Sequence, residues 1–195
     1  MSMALALEHT AEWFRGVYAW KPNECGVQYD AMPPNEAGQF YVAIDDGGVE
    51  AGRDETAALQ ETLTLVIGIW RRPEHLSQKD RRANLKLPID KYLLGAYTLH
   101  DLERMVLIFR ASGEPKLNGL HQNFEFMNAL NNRYNLPHAE LGSKFNLPLF
   151  YRGRGRMETV GLDDQGTVNA FYGYRLRFRG LTRVQVTNNA NYAIG

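Results

Sequence analysis

Two short stretches of this 195-residue chain set guanidinium groups at every second position: Arg152, Arg154 and Arg156 in YRGRGR (151–156), and Arg175, Arg177 and Arg179 in YGYRLRFRGLTR (172–183). A planar guanidinium fork binds carboxylate or phosphate with two parallel hydrogen bonds, and it tolerates a partly dry interface better than an ammonium does. Period-two spacing is that of one face of a strand. If the turn-forming DDQG at 163–166 joins the two stretches as a hairpin, Arg152 falls opposite Arg177 and Arg154 opposite Arg175. All six arginines then share one face. The other face receives Tyr151, Gly153, Gly155 and Met157 from one strand and Tyr172, Tyr174, Leu176 and Phe178 from its partner. Directly opposed like charges repel, so such a face is either a solvated one or one that meets anions.

The chain carries its own supply of anions. Net charge is zero over the whole sequence but −8 over residues 1–64, +3 over 65–143 and +5 over 144–195. An acidic end and a basic end suit a head-to-tail contact between copies, the arrangement that closes into rings. Asp45, Asp46, Glu50, Asp54 and Glu55, in the glycine-rich stretch DDGGVEAGRDET (45–56), are the expected partners of the arginines. A second basic run, RRPEHLSQKDRR, offers Arg71, Arg72, Lys79, Arg81 and Arg82 for further contacts with a protein or with phosphate. It lacks the interleaved aromatic rings that stack nucleic-acid bases.

Other chemistries find no support in the spacing. There is no phosphate loop, no dinucleotide-binding glycine pattern and no nucleophile elbow. The five histidines and the single Cys25 lack metal-ligand spacing, and one cysteine cannot form a disulfide within the chain. Asp45-Asp46 and Asp163-Asp164 sit in glycine-rich turns, where turn chemistry alone explains them. The expectation is a protein without catalytic activity, cofactor or metal. No apolar run has the length of a membrane span.

The elements that must position these side chains follow from hydrophobic period and punctuation. MALALEHTAEWFR (3–15) predicts a helix closed by Gly16. A proline-rich stretch with a short strand near Gly26–Tyr29 leads to a strand at Phe40–Ile44, and 45–56 is expected as a loop. TLTLVIGIW (62–70) is apolar on both faces and predicts a central strand covered on both sides. Residues 71–86 read as a surface arm. Helical segments follow from Pro88, from the Thr98/Asp101 capping pair to Ala111, and over 120–134. Alternating segments at Phe145–Gly161 and Val168–Leu181 close the domain as a hairpin. The predicted class is α/β (α+β): a mixed, mostly antiparallel sheet flanked by helices. It forms a single domain over 1–183, with extended loops and a C-terminal arm at 184–195.

This order of elements resembles the tail terminator (tail completion, neck) proteins of long-tailed bacteriophages. The resemblance is carried by AMPPNEAGQFYVAI, ETLTLVIGIWRR, LPIDKYLLGAYTLHDLERMVLIFRA and FYGYRLRFRGLTRVQV. It covers most of residues 1–182 and rests on element order, since the family has no diagnostic motif. It implies a structural virion protein that assembles as a sixfold homo-oligomeric ring. The ring would cap the tail tube and join it to the head connector, with DNA passing through its lumen. The alternative expectation is a nucleic-acid-binding module that uses the arginine face directly.

Overall fold

The computed structural model describes residues 3–53, 59–72, 97–111, 113–133, 144–145, 148–161 and 171–184. Helix α1 spans Met3–Tyr18. Its buried Ala6, Leu7, Thr10, Ala11 and Phe14 recur at helical spacing. The helix runs through Gly16 and ends where Ala19 adopts a left-handed φ of 54°. Gly16 therefore does not terminate the helix, as the sequence had suggested.

The sheet follows. Strand β1 (Cys25–Val27) pairs in parallel with β2 (Phe40–Arg53). β2 pairs antiparallel with β3 (Leu59–Arg71), and β3 with β7 (Phe171–Val184). On the far side of β7 lie three short strands, all antiparallel to it: β4 (Lys144–Phe145), β5 (Phe150–Arg154) and β6 (Glu158–Val160). Seven strands thus form one mixed, mostly antiparallel sheet among the described residues, closed at its C-terminal edge by the β6–β7 pairing. Helices α2 (Leu99–Leu107) and α3 (Phe124–Arg133) complete an α+β fold.

One side of the sheet is packed against the helices. Phe40, Val42 and Ile44 of β2, Leu65, Ile67 and Ile69 of β3, and Tyr174, Leu176 and Phe178 of β7 are buried there. They meet Phe14 of α1, Leu102, Met105 and Val106 of α2, and Phe126 and Leu130 of α3 in one core. The Thr98/Asp101 pair caps α2 as expected: the Thr98 hydroxyl accepts from the Asp101 N–H (3.1 Å), and the Asp101 carboxylate accepts from the Thr98 N–H (2.9 Å). Helix α3 starts later than the period suggested. Buried Asn123 caps it, its side-chain oxygen accepting from the Phe126 N–H and its amide donating to Leu117 and Gly119 carbonyls.

Among the described residues, the other side of the sheet is covered only over part of its length. The segment after β1 turns sharply at Asp30 and Ala31, both with positive φ, and lies across the sheet. There Ala31, Ala37, Tyr41, Ala43, Trp70 and Phe171 form a second, smaller core, and the Trp70 indole N–H donates to the Ala31 carbonyl at 2.6 Å. The double-sided burial expected for the central strand therefore holds at Trp70, whereas Thr64 and Val66 are only partly covered.

Residues 45–53, expected as a loop, are the second half of β2. Asp45 pairs with Val66, Asp46 with Leu65 and Glu50 with Thr62, around a bulge at Gly47 and Gly48. The Gly48 N–H donates to the Asp46 side chain at 2.6 Å, and Gly48 has φ +99°. The Asp-Gly-Gly signal that reads as a hairpin turn thus inserts extra residues into a continuing strand. The expected helix from Pro88 and the 163–166 turn fall outside the described residues, and so does the arm beyond Val184.

Candidate functional site: an arginine-lined hollow

Arg152, Arg177 and Arg179 come together over a hollow of about 630 Å³ on the partly covered side of the sheet, with Gly47, Thr64 and Val66 as its floor. The register explains the placement. Thr64 pairs with Arg179, and Val66 with Arg177, so these four side chains rise from the same side. Arg177 and Arg179 stand about 6.8 Å apart along β7. Arg152 enters from β5, the next strand outward. Gly47 keeps the hollow open at its other edge: a Cβ there would lie 2.6 Å from the Thr64 methyl and 2.9 Å from a Val66 methyl. All three arginines are exposed. Among the described residues, no carboxylate lies within ion-pair distance of Arg152 or Arg177.

Arg175 shares this side but is committed to the fold. Its guanidinium donates to the Asp30 carbonyl (3.0 Å), pairs with the Asp30 and Glu158 carboxylates and lies over the Trp70 ring at 5.4 Å. It fastens the Tyr29–Ala31 turn to the sheet.

Arg154 is the principal correction to the expected face. The simple register holds at Phe150↔Arg179 and Tyr151↔Phe178, then shifts, so that Gly153 faces Arg177 and Arg154 faces Leu176. Gly153 makes the shift with φ +136°, a conformation that side-chain-bearing residues rarely adopt. Arg154 consequently lies on the helix side, 4.9 Å over the Tyr174 ring and 3.4 Å from Glu103 of α2. The Tyr174 hydroxyl donates to the same Glu103 carboxylate at 2.9 Å. Burial, reinforced by that hydrogen bond, pushes the Tyr174 phenol up to about 12. Arg156 is exposed between β5 and β6 and does not line the hollow.

The expected acidic partners are dispersed. Asp45 pairs with Val66, which pairs with Arg177, so Asp45 stands on the arginines' own side two strands away, roughly 10 Å in the pairing direction. Asp46 alternates to the helix side and is exposed. Glu50 lies past the bulge, and Asp54 and Glu55 lie outside the described residues.

Of the second basic run, Arg71 is buried, at 6% exposure. Arg72 donates to the carbonyls of Asn35, Gly38 and Ala37 and lies 4.6 Å from the centre of the Phe171 ring. Both were expected to reach a partner; instead Arg71 is buried at the end of β3, and Arg72 holds the 35–38 segment to the sheet. Lys79, Arg81 and Arg82 lie outside the described residues.

The carboxylates that do pair with the arginine rows, Asp30, Glu103 and Glu158, were not singled out from the sequence. Each is distant along the chain from at least one of its partners, and no periodic signal marks it. Among the described residues no group of three or more His, Cys, Asp and Glu side chains could hold a metal ion. Cys25 is fully buried and its thiol is pushed up by that burial, which disfavours the reactive thiolate. No described helix is long and apolar enough to cross a membrane. Compared with known proteins, the chain matches no protein-family model and no curated protein.

Proposed function

We propose that this protein is a structural subunit of a homo-oligomeric ring, of the kind that caps a bacteriophage tail tube and joins it to the head connector within the virion. The observation that carries the reading is the arginine-lined hollow. Three exposed guanidinium groups surround a small-residue floor on one side of the sheet, while the opposite side is packed against helices. A concave basic surface of this kind asks for anions held in a fixed geometry, which an assembly supplies.

The α+β architecture is the one that the resemblance in element order implies, and the uneven charge along the chain favours contacts between unlike surfaces of successive copies. The floor of Gly47, Thr64 and Val66 offers no ring on which a base could stack.

The test is solution mass by light scattering at low and high salt, combined with electron microscopy of the particles. The expected result is a closed ring, sixfold if the resemblance extends to subunit number, that loosens as salt rises. A chain that stays monomeric at high concentration and low salt, yet binds an oligonucleotide with a steep salt dependence, would replace this reading with that of a nucleic-acid-binding module.

A further inference from the structure

We propose that the hollow is a binding site for a doubly charged phosphate group, either inorganic phosphate or the end of a small phosphomonoester, held between Arg152 and Arg177. This goes beyond the ring reading, because one copy of the chain holds the ligand whether or not copies assemble.

Two breaks in strand pairing build the site. The hollow spans β2, β3, β7 and β5, and a bulge interrupts each of the two strands at its rims. In β2 the pairing skips from Asp46 to Val49, which leaves Gly47 unpaired at one rim. In β5 it skips from Tyr151 to Gly153, which leaves Arg152 unpaired at the other. Bulges re-aim side chains and recur beside functional sites. Here one bulge keeps a side chain out of the hollow, and the other brings a guanidinium into it.

Arg177 is left open by its neighbours. Its register partners are Val66 on β3 and Gly153 on β5. Neither has a side chain that can bond a guanidinium, and a Cβ at Gly153 would meet nothing within 4 Å. Among the described residues, no carboxylate lies within ion-pair distance of Arg152 or Arg177. Their neighbours in the two rows are engaged: Arg175 with Asp30 and Glu158, Arg154 with Glu103, and Arg179 elsewhere within the chain. Two positive charges therefore remain for a ligand.

Charge and shape select the ligand's class. Neighbouring guanidinium groups repel, and an anion between them removes that repulsion. A carboxylate has one edge of two oxygens and one negative charge, which a single guanidinium fork satisfies. A phosphate monoester has three free oxygens and a charge of about −1.5 to −2 near neutral pH. Two forks from different strands can each take one of its edges. The phosphodiester of a nucleic acid carries only one charge. The hollow's volume of about 630 Å³ lies within the range of small-molecule pockets, roughly 300–1,000 Å³. It leaves room beside the phosphate for a small substituent over Thr64 and Val66.

The experiment is calorimetric titration of the full-length chain with inorganic phosphate, glycerol 3-phosphate, acetate and a short oligothymidylate. All are compared at equal ionic strength, at a pH of about 8, where the monoester is a dianion. The wild type should bind one phosphate or phosphomonoester per chain, and acetate at least tenfold more weakly. Arg152→Gln and Arg177→Gln should each weaken phosphate binding roughly tenfold or more. Arg156→Gln, exposed but off the hollow, should leave it unchanged. Circular dichroism checks each fold. If a glutamine variant unfolds, Arg177→Lys keeps the charge, loses the fork and should still bind more weakly. Amide shifts at Val66, Gly153 and Arg177 of the wild type should locate the bound phosphate without any substitution.

Tighter binding of glycerol 3-phosphate than of inorganic phosphate assigns the rest of the hollow to a substituent, and equal binding assigns the site to free phosphate. Absence of saturable binding overturns the proposal. So does acetate binding as tightly as phosphate, or an equal loss in Arg156→Gln. Oligothymidylate binding more tightly than either monoester overturns it in favour of a nucleic-acid surface. Rings that form from a chain unable to bind phosphate overturn the site and leave the ring reading in place. A monomer that binds phosphate through Arg152 and Arg177 keeps the site and removes the ring.

Discussion

Arg152 and Arg154, two residues apart on β5, lie on opposite sides of the sheet. Arg152 lines the hollow with Arg177 and Arg179, while Arg154 crosses to the helix side and meets Glu103 and Tyr174. Regular alternation would have kept them together. The bulge at Gly153 separates them, and with them the arginine-lined hollow from the side chains that hold β5 to α2.

Gly153→Ala should therefore be costly although a Cβ there would meet nothing within 4 Å. The strain is in the backbone at φ +136°. A loss of about 1–3 kcal/mol is expected from urea unfolding. If the strand relaxes to regular pairing instead, Arg154 leaves Glu103, and self-association changes along with stability.

Arg154→Glu and Arg152→Glu should act differently. The first sets a carboxylate against Glu103 and lowers the melting temperature, with little effect on association. The second leaves the melting temperature nearly unchanged and weakens association. Thermal melts paired with sedimentation of both variants decide this, and equal effects in both assays would remove the distinction between the two sides.

Gly47→Ala should fail for a different reason. Its Cβ would press on the methyl groups of Thr64 and Val66, both β-branched and stiff at χ1. Overpacking of this kind costs typically about 1–3 kcal/mol. It would also narrow the hollow, so the variant should be less stable and associate more weakly. Unchanged urea midpoints would show that the β2 bulge gives way freely.

Tyr174 sets a pH dependence at the alkaline end. Its phenol, ordinarily near 10, is raised to about 12 by burial and by its bond to Glu103. Because the folded state holds the proton more tightly, this stabilisation is complete below pH 10. It is lost as the pH rises through about 12. Burial also raises Tyr41, Tyr97 and Tyr151, so Tyr174→Phe should remove one of several late-titrating tyrosines from the phenolate absorbance, and the variant's stability should fall less steeply over the same range.

Loss of the Asn123 side chain should be among the more damaging polar changes. It caps α3 and bonds two carbonyls of the preceding loop while 2% exposed. Asn123→Ala leaves those carbonyls without their donor and should cost about 1–3 kcal/mol in urea unfolding, with α3 losing helicity first by hydrogen exchange.

Much of this was legible in the residues alone. The apolar period of α1, the capping pair at Thr98 and Asp101, the strand at 62–70 and the arginine rhythm of β7 are local signals. Local backbone preference and side-chain alternation act within a few residues, so they can be read from a few residues. What tertiary structure decided was where the alternation breaks and who answers whom. Asp45-Asp46-Gly47-Gly48 becomes a bulge because β3 continues to pair beyond it, and Arg-Gly-Arg on β5 splits across the sheet because its pairing shifts at Gly153. Arg175 pairs with Asp30, 145 residues away, and Arg72 donates to carbonyls of the 35–38 segment. A single residue's shift in pairing inverts every side chain after it, and a carboxylate's partner depends on where the chain returns. Neither is written in local spacing, and together they reduced six similar arginines to the three that face the hollow.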